Sequence, residues 1–279
     1  LYPDEVGRDP ADADGAATSR GVPADLVELA EGCAVEAHGT GYVLGIDDDA
    51  LMALATTHDL VISLQVRPGD HVIDATVLAS LWPPDRSADD LQDRARSAVR
   101  VGHARTPQED VEFPVRLLEE MAVRALSPGT NDPYTAVNAL DDLTAGLARL
   151  AGRRTPSQYR YDEHGHLRLV ATRIELSDLL DRVLDAMRLY AIDHPMVLHR
   201  TLALVDVVGA ASADRSVKAR LDRHVRQLVE AFAHSSPQEC DADALRRHAD
   251  EVRRALADGQ VRRAMTRYSG DSAVGGSSP

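Results

Sequence analysis

The segment between residues 127 and 135 carries the residue types in this chain best suited to hold a ligand. It reads Ser-Pro-Gly-Thr-Asn-Asp-Pro-Tyr-Thr, with small polar residues around two prolines. Backbone N–H groups after Asp132 could hold an anion or a carbonyl oxygen, because a helix N-terminus attracts negative charge. The same residues fit a helix stop followed by a helix cap, and the Asp132 carboxylate would itself repel an anion. The candidate ligand-binding residues are Arg124, Ser127, Gly129, Asn131, Asp132, Thr135 and Asn138.

Two further clusters have metal-binding residue types but the wrong spacing. Asp47, Asp48 and Asp49 lack the spaced ligands and the glycine of a calcium loop, so we expect them to cap a helix instead. His164 and His166 stand in a turn with no third ligand nearby in sequence. The chain has no nucleophile elbow, phosphate loop or zinc-protease motif. We therefore predict no metal, no cofactor and no catalytic residue, and we favour a protein that is not an enzyme.

Charge is distributed unevenly among the elements that would position these residues. The 279 residues have a net charge of −14. The first 85 contain 16 acidic and three basic side chains, whereas residues 86–279 contain 29 acidic and 28 basic ones. A change of this kind indicates a module boundary near residue 85. The acidic balance argues against nucleic acid as a partner, because phosphates require a positive surface.

Periodicity divides the chain into four parts. We predict an acidic, disordered linker at 1–22, a small acidic β-rich module at 23–85, a helical domain at 86–267 and a disordered tail at 268–279. The helical domain is expected to carry one β-hairpin near 159–170. The fold class is therefore α+β: a small barrel-sandwich-like β module followed by a mainly α-helical bundle with one hairpin.

Local signals place individual elements within these parts. The β-like runs are 40–46, 60–66, 71–73 and 77–81, the last two forming a strand pair, with a short helix at 50–57. Thr106, Pro107 and Glu109 form a capping box for a helix that runs towards Leu126, with a kink or a restart expected at Pro114. Later helices are expected after Asp132 and near 175–191, 195–211, 214–233 and 243–266. An ion pair between Arg124 and Asp132 is one option, and a solvated face is the other.

The first β module resembles a known small domain. Residues 40–43 (Thr-Gly-Tyr-Val) and 66–72 (Val-Arg-Pro-Gly-Asp-His-Val) are similar to the small C-terminal β domain of pyrimidine nucleoside phosphorylases and to biotinyl or lipoyl barrel-sandwich folds. The phosphorylases' catalytic residues lie in domains that this chain lacks. No lysine stands at the exposed turn, so the resemblance implies a fold rather than an attachment site or an activity.

A second resemblance covers roughly residues 35–265. Residues 105–107 (Arg-Thr-Pro), 110–113 (Asp-Val-Glu-Phe) and 124–136 (Arg-Ala-Leu-Ser-Pro-Gly-Thr-Asn-Asp-Pro-Tyr-Thr-Ala) are similar to a family of predicted bacterial membrane proteins, the domain of unknown function twenty-two fifty-four. Members carry transmembrane helices before this region. This chain has no run of about 18 apolar residues that could span a bilayer, so it resembles the soluble C-terminal portion alone.

The family resemblance implies a location rather than a reaction. The parent protein would lie in the cell membrane, with this soluble portion on the cytoplasmic side. The expected partner is the protein's own transmembrane region, and the sequence leaves a homo-oligomer open. A non-enzymatic role in assembly, gating or regulation is the favoured function. The alternative is an enzyme or small-ligand binder with its site at Ser127–Thr135.

Overall fold

The computed structural model describes residues 32–153 and 157–258. The predicted linker at 1–22 and tail at 268–279 lie outside these ranges. The described residues form two compact units, one from residues 32–116 with 157–175 and the other from 117–153 with 176–258. The division falls in a helix at residue 116 and not near residue 85, where the charge changes.

The first unit is built on two small sheets. One has the strand order β1-β5-β3-β8-β7 and the other has the order β4-β2-β6. All pairings are antiparallel except that of β3 with β8. The strands are β1 (Cys33–Glu36), β2 (Gly41–Ile46), β3 (Val61–Leu64), β4 (His71–Val72), β5 (Val77–Trp82), β6 (Val99–Gly102), β7 (Tyr159–Tyr161) and β8 (Leu167–Ala171). Together with the helices below, the sheets confirm the α+β class.

The predicted hairpin forms, but it belongs to the first unit and not to the helical one. Strand β8 lies parallel to β3, with Ile62 opposite Leu169 and Leu64 opposite Ala171. Leu169 is fully buried beside Ile62, so the apolar side of the hairpin completes the core of the larger sheet. Burial of each such side chain contributes about 1.5–3 kcal/mol.

The expected pairing of β4 with β5 is wrong. Strand β4 pairs with β2, whereas β5 pairs with β1 and β3 in the other sheet. The chain changes sheets in a tight turn in which the Thr76 N–H donates to the Ile73 carbonyl at 3.0 Å. Ala75 has a positive φ of 65° in that turn. This left-handed residue redirects the backbone between the two sheets.

Two helices pack within the first unit: α1 (Asp48–His58) and α2 (Asp89–Ser97). Asp47 caps α1 by accepting the Ala50 N–H at 2.9 Å, which confirms the capping interpretation of the Asp47–Asp49 cluster. Ser87 does not cap α2. Its hydroxyl donates to the Pro83 carbonyl at 3.0 Å, and Ala88 occupies the N-cap position.

Helix α3 (Glu112–Ala125) begins later than the capping box at Thr106 predicts. Glu109 does not return to Thr106: its carboxylate accepts the Ile46 N–H at 3.1 Å and pairs with Arg100. The Asp110 carboxylate accepts the Phe113 N–H at 3.0 Å instead. Pro114 therefore falls in the first turn, where a proline is tolerated. Of the two expectations at Pro114, the structure has a helix that begins close to the proline and not a kink.

The second unit is a helical bundle. Its further helices are α4 (Pro133–Ala151), α5 (Leu176–Tyr190), α6 (Pro195–Ala211), α7 (Arg215–His234) and α8 (Glu239–Asp258). These bounds agree with the predicted helices to within a few residues, with α8 starting four residues early. The predicted end of α8 at residue 266 lies outside the described residues. The buried residues of α6 lie on one broad face, from Val197 and Leu198 to Val208 and Gly209. A face this wide can contact several neighbouring helices, and α6 packs against α4, α7 and α8.

Candidate functional site

The predicted site between α3 and α4 is a tightly hydrogen-bonded turn. The Ser127 hydroxyl donates to the Arg124 carbonyl at 2.8 Å. The Ser127 carbonyl accepts the N–H groups of Thr130 at 3.0 Å and Asn131 at 2.9 Å. Asn131 has a φ of 46°, and asparagine tolerates this left-handed conformation at a helix end. These bonds satisfy the backbone where α3 stops.

Asp132 starts the next helix. Its Oδ1 accepts the Thr135 N–H at 3.1 Å and its Oδ2 accepts the Thr135 hydroxyl at 2.6 Å. Its own N–H donates to the Ala125 carbonyl at 2.8 Å, which ties the cap back to α3. The hydrogen bonds from Thr135 lower the pKa of Asp132 below its ordinary value. The carboxylate is therefore committed to the cap.

The remaining candidates do not converge on a common point. Arg124, Gly129, Asn131 and Asn138 are all exposed, so a buried Arg124–Asp132 ion pair does not form. A methyl group on Gly129 would meet nothing within 4 Å, and its φ is not positive. The turn brings together Ser127 with Thr130 and Asn131, and separately Asp132 with Thr135. Its arrangement is that of a C-cap followed by an N-cap.

A cluster that sequence reasoning missed lies in the first unit around Gly69, and we call it the Gly69 cluster. It brings together the two separate stretches that carried the two resemblances. Its members are Arg67, Gly69, Asp70, Arg105, Asp110 and Glu112. None of these residues had been expected to meet, since the two stretches are about 40 residues apart.

Arg105 is the centre of the Gly69 cluster. Its Nε donates to Asp110 Oδ2 at 2.7 Å, and Asp110 is only 2% exposed. The hydrogen bond that Arg105 donates to Asp110 raises the pKa of Arg105 above its ordinary value. The guanidinium carbon lies 5.4 Å from the centre of the Phe113 ring, which adds a cation–π contact. Arg105 thus fixes the segment that leads into α3.

The guanidinium of Arg67 shares the Glu112 carboxylate with Arg105 and also pairs with Asp70. Arg67 Nη2 lies 3.9 Å from Glu112 Oε2, and Arg105 Nη2 lies 3.6 Å from the same atom. The Asp70 carboxylate accepts the Arg67 N–H at 3.0 Å. Three carboxylates face two guanidiniums, so the cluster carries a small excess of negative charge. Such a set favours internal pairing over the binding of a phosphate or carboxylate ligand.

Gly69 is required for this packing. Its φ is +96°, a value that residues with a side chain rarely adopt. A methyl group there would lie 2.5 Å from both Arg105 Nη2 and Asp110 Oδ2. The Pro68-Gly69-Asp70 sequence indicated a turn, but no local signal could have shown which side chains cover it.

A second missed cluster anchors the hairpin, and we call it the hairpin cluster: Asp59, Arg86, Asp162 and Arg168. Arg168 Nε donates to Asp162 Oδ2 at 2.7 Å, and its Nη1 donates to Asp59 Oδ1 at 2.8 Å. Asp162 Oδ1 also accepts the N–H groups of His164 and His166, each at 2.9 Å. Burial alone would raise the pKa of Asp162, but these bonds prevail and lower it to about 2.

The described residues contain no group of three or more histidine, cysteine, aspartate or glutamate side chains placed to hold a metal ion. The rings of His164 and His166 are 6.3 Å apart at an exposed turn. Asp48 is buried and paired with Arg173, so the acidic run at α1 serves the cap and an ion pair.

Comparison with known proteins identifies the family. The family described as predicted membrane protein (DUF2254) matches residues 8–206. The chain belongs to this family. Both the Gly69 cluster and the α3–α4 turn lie within the matched part of the chain.

Three of the DUF2254 chain's curated relatives are mycobacterial proteins. Uncharacterized proteins from Mycobacterium bovis and from two strains of Mycobacterium tuberculosis are each 30% identical to this chain over 246 residues. That match covers 87% of this chain but 44% of each relative. The chain thus spans less than half the length of these DUF2254 proteins.

No solved structure matches this DUF2254 chain. The resemblance of its first module to the phosphorylase domain therefore stays a prediction. Although the family is described as a membrane protein, none of the helices within 32–153 and 157–258 is long and apolar enough to cross a bilayer.

Proposed function

We propose that this DUF2254 chain is an extramembrane, non-enzymatic module of a membrane protein, with a role in assembly, gating or regulation. The proposal rests on how much of this chain and of its relatives the match covers. The chain matches along 87% of itself but accounts for only 44% of its relatives, in a family described as membrane proteins. The remaining part of such a protein is where membrane-spanning helices would lie.

The polar clusters support a structural rather than a catalytic role. In the Gly69 cluster and the hairpin cluster, the charged groups are paired with each other across short distances. In the α3–α4 turn, the hydroxyl and carboxylate groups act as caps. A catalytic or ligand-binding site at Ser127–Thr135 would need these groups to be free to face a substrate.

The proposed location of the module is the cytoplasmic side of the membrane. Cys33 and Cys240 are both free thiols, as is usual in a reducing compartment. The acidic first third of the chain would be repelled by the anionic lipids of the cytoplasmic leaflet. It would be held away from the bilayer and left available to a basic partner.

The proposed partner is the transmembrane region of the same protein, either within one chain or in a homo-oligomer. The test compares a complete mycobacterial relative with the same protein lacking the region that matches this chain, both expressed in a bacterial host. Cross-linking in isolated membranes followed by native electrophoresis measures the oligomer distribution. We expect both to reach the membrane and the shortened protein to lose its defined assembly. An unchanged distribution, together with unchanged ion or solute permeability, would refute a role in assembly or gating.

A further inference from the structure

Two histidines face each other across helices α6 and α8 of the second unit. His199 Nδ1 and His248 Nδ1 are 2.9 Å apart. The ring centres are 5.2 Å apart and the planes differ by 17°. The distance between the ring centres is longer than the distance between the two Nδ1 atoms. The difference is about twice the distance from the centre of an imidazole ring to one of its own atoms. The two nitrogens therefore lie between the rings and point at each other.

This geometry requires a single shared proton. A neutral imidazole has one N–H donor and one acceptor nitrogen. At 2.9 Å the two Nδ1 atoms are at hydrogen-bond distance, so one carries the proton and the other accepts it. Two bare nitrogens would repel each other, and two protonated nitrogens would clash. Both rings are only partly exposed, so water does not readily replace the bond.

We propose that His199 and His248 form a proton-operated latch, which holds α8 against α6 near neutral pH and opens in acid. This inference rests on the described geometry alone and does not depend on the proposed function. We call the pair the histidine latch.

The hydrogen bond between the two rings breaks when the pair takes up a second extra proton, and not when it takes up the first. With one extra proton, a charged imidazolium still donates to its neutral partner, so the bond between the rings is kept although burial disfavours the charge. With two extra protons, both Nδ1 atoms carry hydrogen and both rings are positive. The acceptor is then lost and the rings repel at close range, so the bond between α6 and α8 breaks.

The groups around the latch set where it opens. Burial lowers the pKa of His199, and the charge of His248 lowers it further, against Asp241. Burial lowers the pKa of His248, against Glu251 and Asp206. Among the acids on the helices packed against α6 and α8, Asp141 of α4 pairs with Arg200, Asp181 of α5 with Arg220, and Asp222 of α7 with Arg253.

The sign of the pH effect follows from these directions. Both pKa values are lower in the folded chain than the ordinary 6.5, so the unfolded chain binds protons first. The stabilisation is complete above pH 6.5 and declines as the pH falls below that value towards the folded pKa values. If a carboxylate were the direct partner of either ring, the pKa of that histidine would be raised and the folded chain would bind the proton first.

The direct test is NMR of the 279-residue chain labelled with nitrogen-15 in histidine, with a chelator present. We expect a nitrogen–nitrogen scalar coupling between the two Nδ1 atoms at pH 7.5 that disappears on acidification below the ordinary imidazole pKa of about 6.5. Absence of the coupling at pH 7.5, or its persistence in acid, would overturn the proposal. This measurement needs no variant and so does not depend on any variant folding.

Hydrogen exchange supplies the second readout. Between pH 7.5 and 5.0, after correction for intrinsic exchange, we expect a selective loss of amide protection in α8. The double variant His199→Leu and His248→Leu should lose this dependence, whereas the exposed control His234→Gln on α7 should keep it. An equal fall in the double variant would overturn the proposal.

Discussion

Arg168 and Asp59 are 109 residues apart in sequence, yet Nη1 of the arginine lies 2.8 Å from Oδ1 of the aspartate. Arg168 stands on β8, and Asp59 ends α1 with a left-handed φ of 51°. The same guanidinium also holds the buried Asp162 of the hairpin. One side chain therefore joins the late hairpin to the early part of the first unit.

Replacing Arg168 by methionine should destabilise the first unit. The change leaves the buried Asp162 carboxylate without its cation, which typically costs about 3 kcal/mol or more. Trp82 on β5 is the only tryptophan in the chain, so its fluorescence during urea unfolding reports on the first unit. The matched control is Arg86→Met, since Arg86 contacts the same Asp59 from an exposed position. We expect that control to cost less than about 1 kcal/mol, and equal losses would contradict the assigned role of Arg168.

A series of glycine-to-alanine variants should separate backbone strain from steric overlap. Gly129→Ala has open space and no positive φ, and it should change stability by less than about 0.5 kcal/mol. Gly165→Ala adds backbone strain alone, because the φ of Gly165 is +81° and no atom lies within 4 Å of the added methyl group. We expect this strain to cost about 1 kcal/mol of stability. Gly69→Ala adds strain and overlap with Arg105, and it should cost the most. Denaturation measurements that rank Gly69→Ala equal to Gly129→Ala would refute the packing of the Gly69 cluster.

Acid should weaken the first unit through Asp162. Its pKa falls from 3.8 to about 2 on folding, so the folded chain binds its proton later than the unfolded one. The stabilisation is present above about pH 4 and is lost as the pH falls towards 2. In Asp162→Asn, stability followed by Trp82 fluorescence should be lower at pH 7 and should fall less steeply across that window. A variant with the same acid profile as the parent chain would exclude Asp162 as the source.

The α3–α4 turn should respond to substitution as a helix cap. Asp132→Ala removes the acceptor for the Thr135 N–H and should lower the melting temperature, whereas Asp132→Ser keeps a capping oxygen and should restore most of it. Arg124→Ala and Asn138→Ala alter exposed side chains and should have little effect. A ligand site would behave differently, with Asp132→Ser as damaging as Asp132→Ala in a binding assay and no difference between them in melting temperature.

Short-range features of this chain could be predicted from sequence. Asp47 and Asp132 each accept an N–H three residues ahead, and such caps depend only on local residue types. The helices of the second unit follow from their apolar spacing. The hairpin could also be located, because its turn and alternation are local.

Long-range features could not be predicted for a physical reason. The parallel pairing of β8 with β3 depends on which sheet edge is open, and no local pattern encodes that. No local pattern encodes the pairing of β6 with β2 either. This pairing keeps residues 99–102 in the first unit, so the division between the two units comes after the charge change near residue 85. Arg105 with Gly69, and His199 with His248, are likewise brought together only by the assembled fold.

The cytoplasmic location proposed above for this DUF2254 module can be tested in intact cells. The most direct measurement uses a complete mycobacterial relative with a single cysteine placed in the region that matches this chain. A membrane-impermeant maleimide is applied to intact and to permeabilised cells, after carbonate washing establishes membrane insertion. If the module is cytoplasmic, we expect the complete protein to stay in the membrane after carbonate washing and the cysteine to be labelled only after permeabilisation. Labelling in intact cells, or release of the complete protein by carbonate, would contradict it.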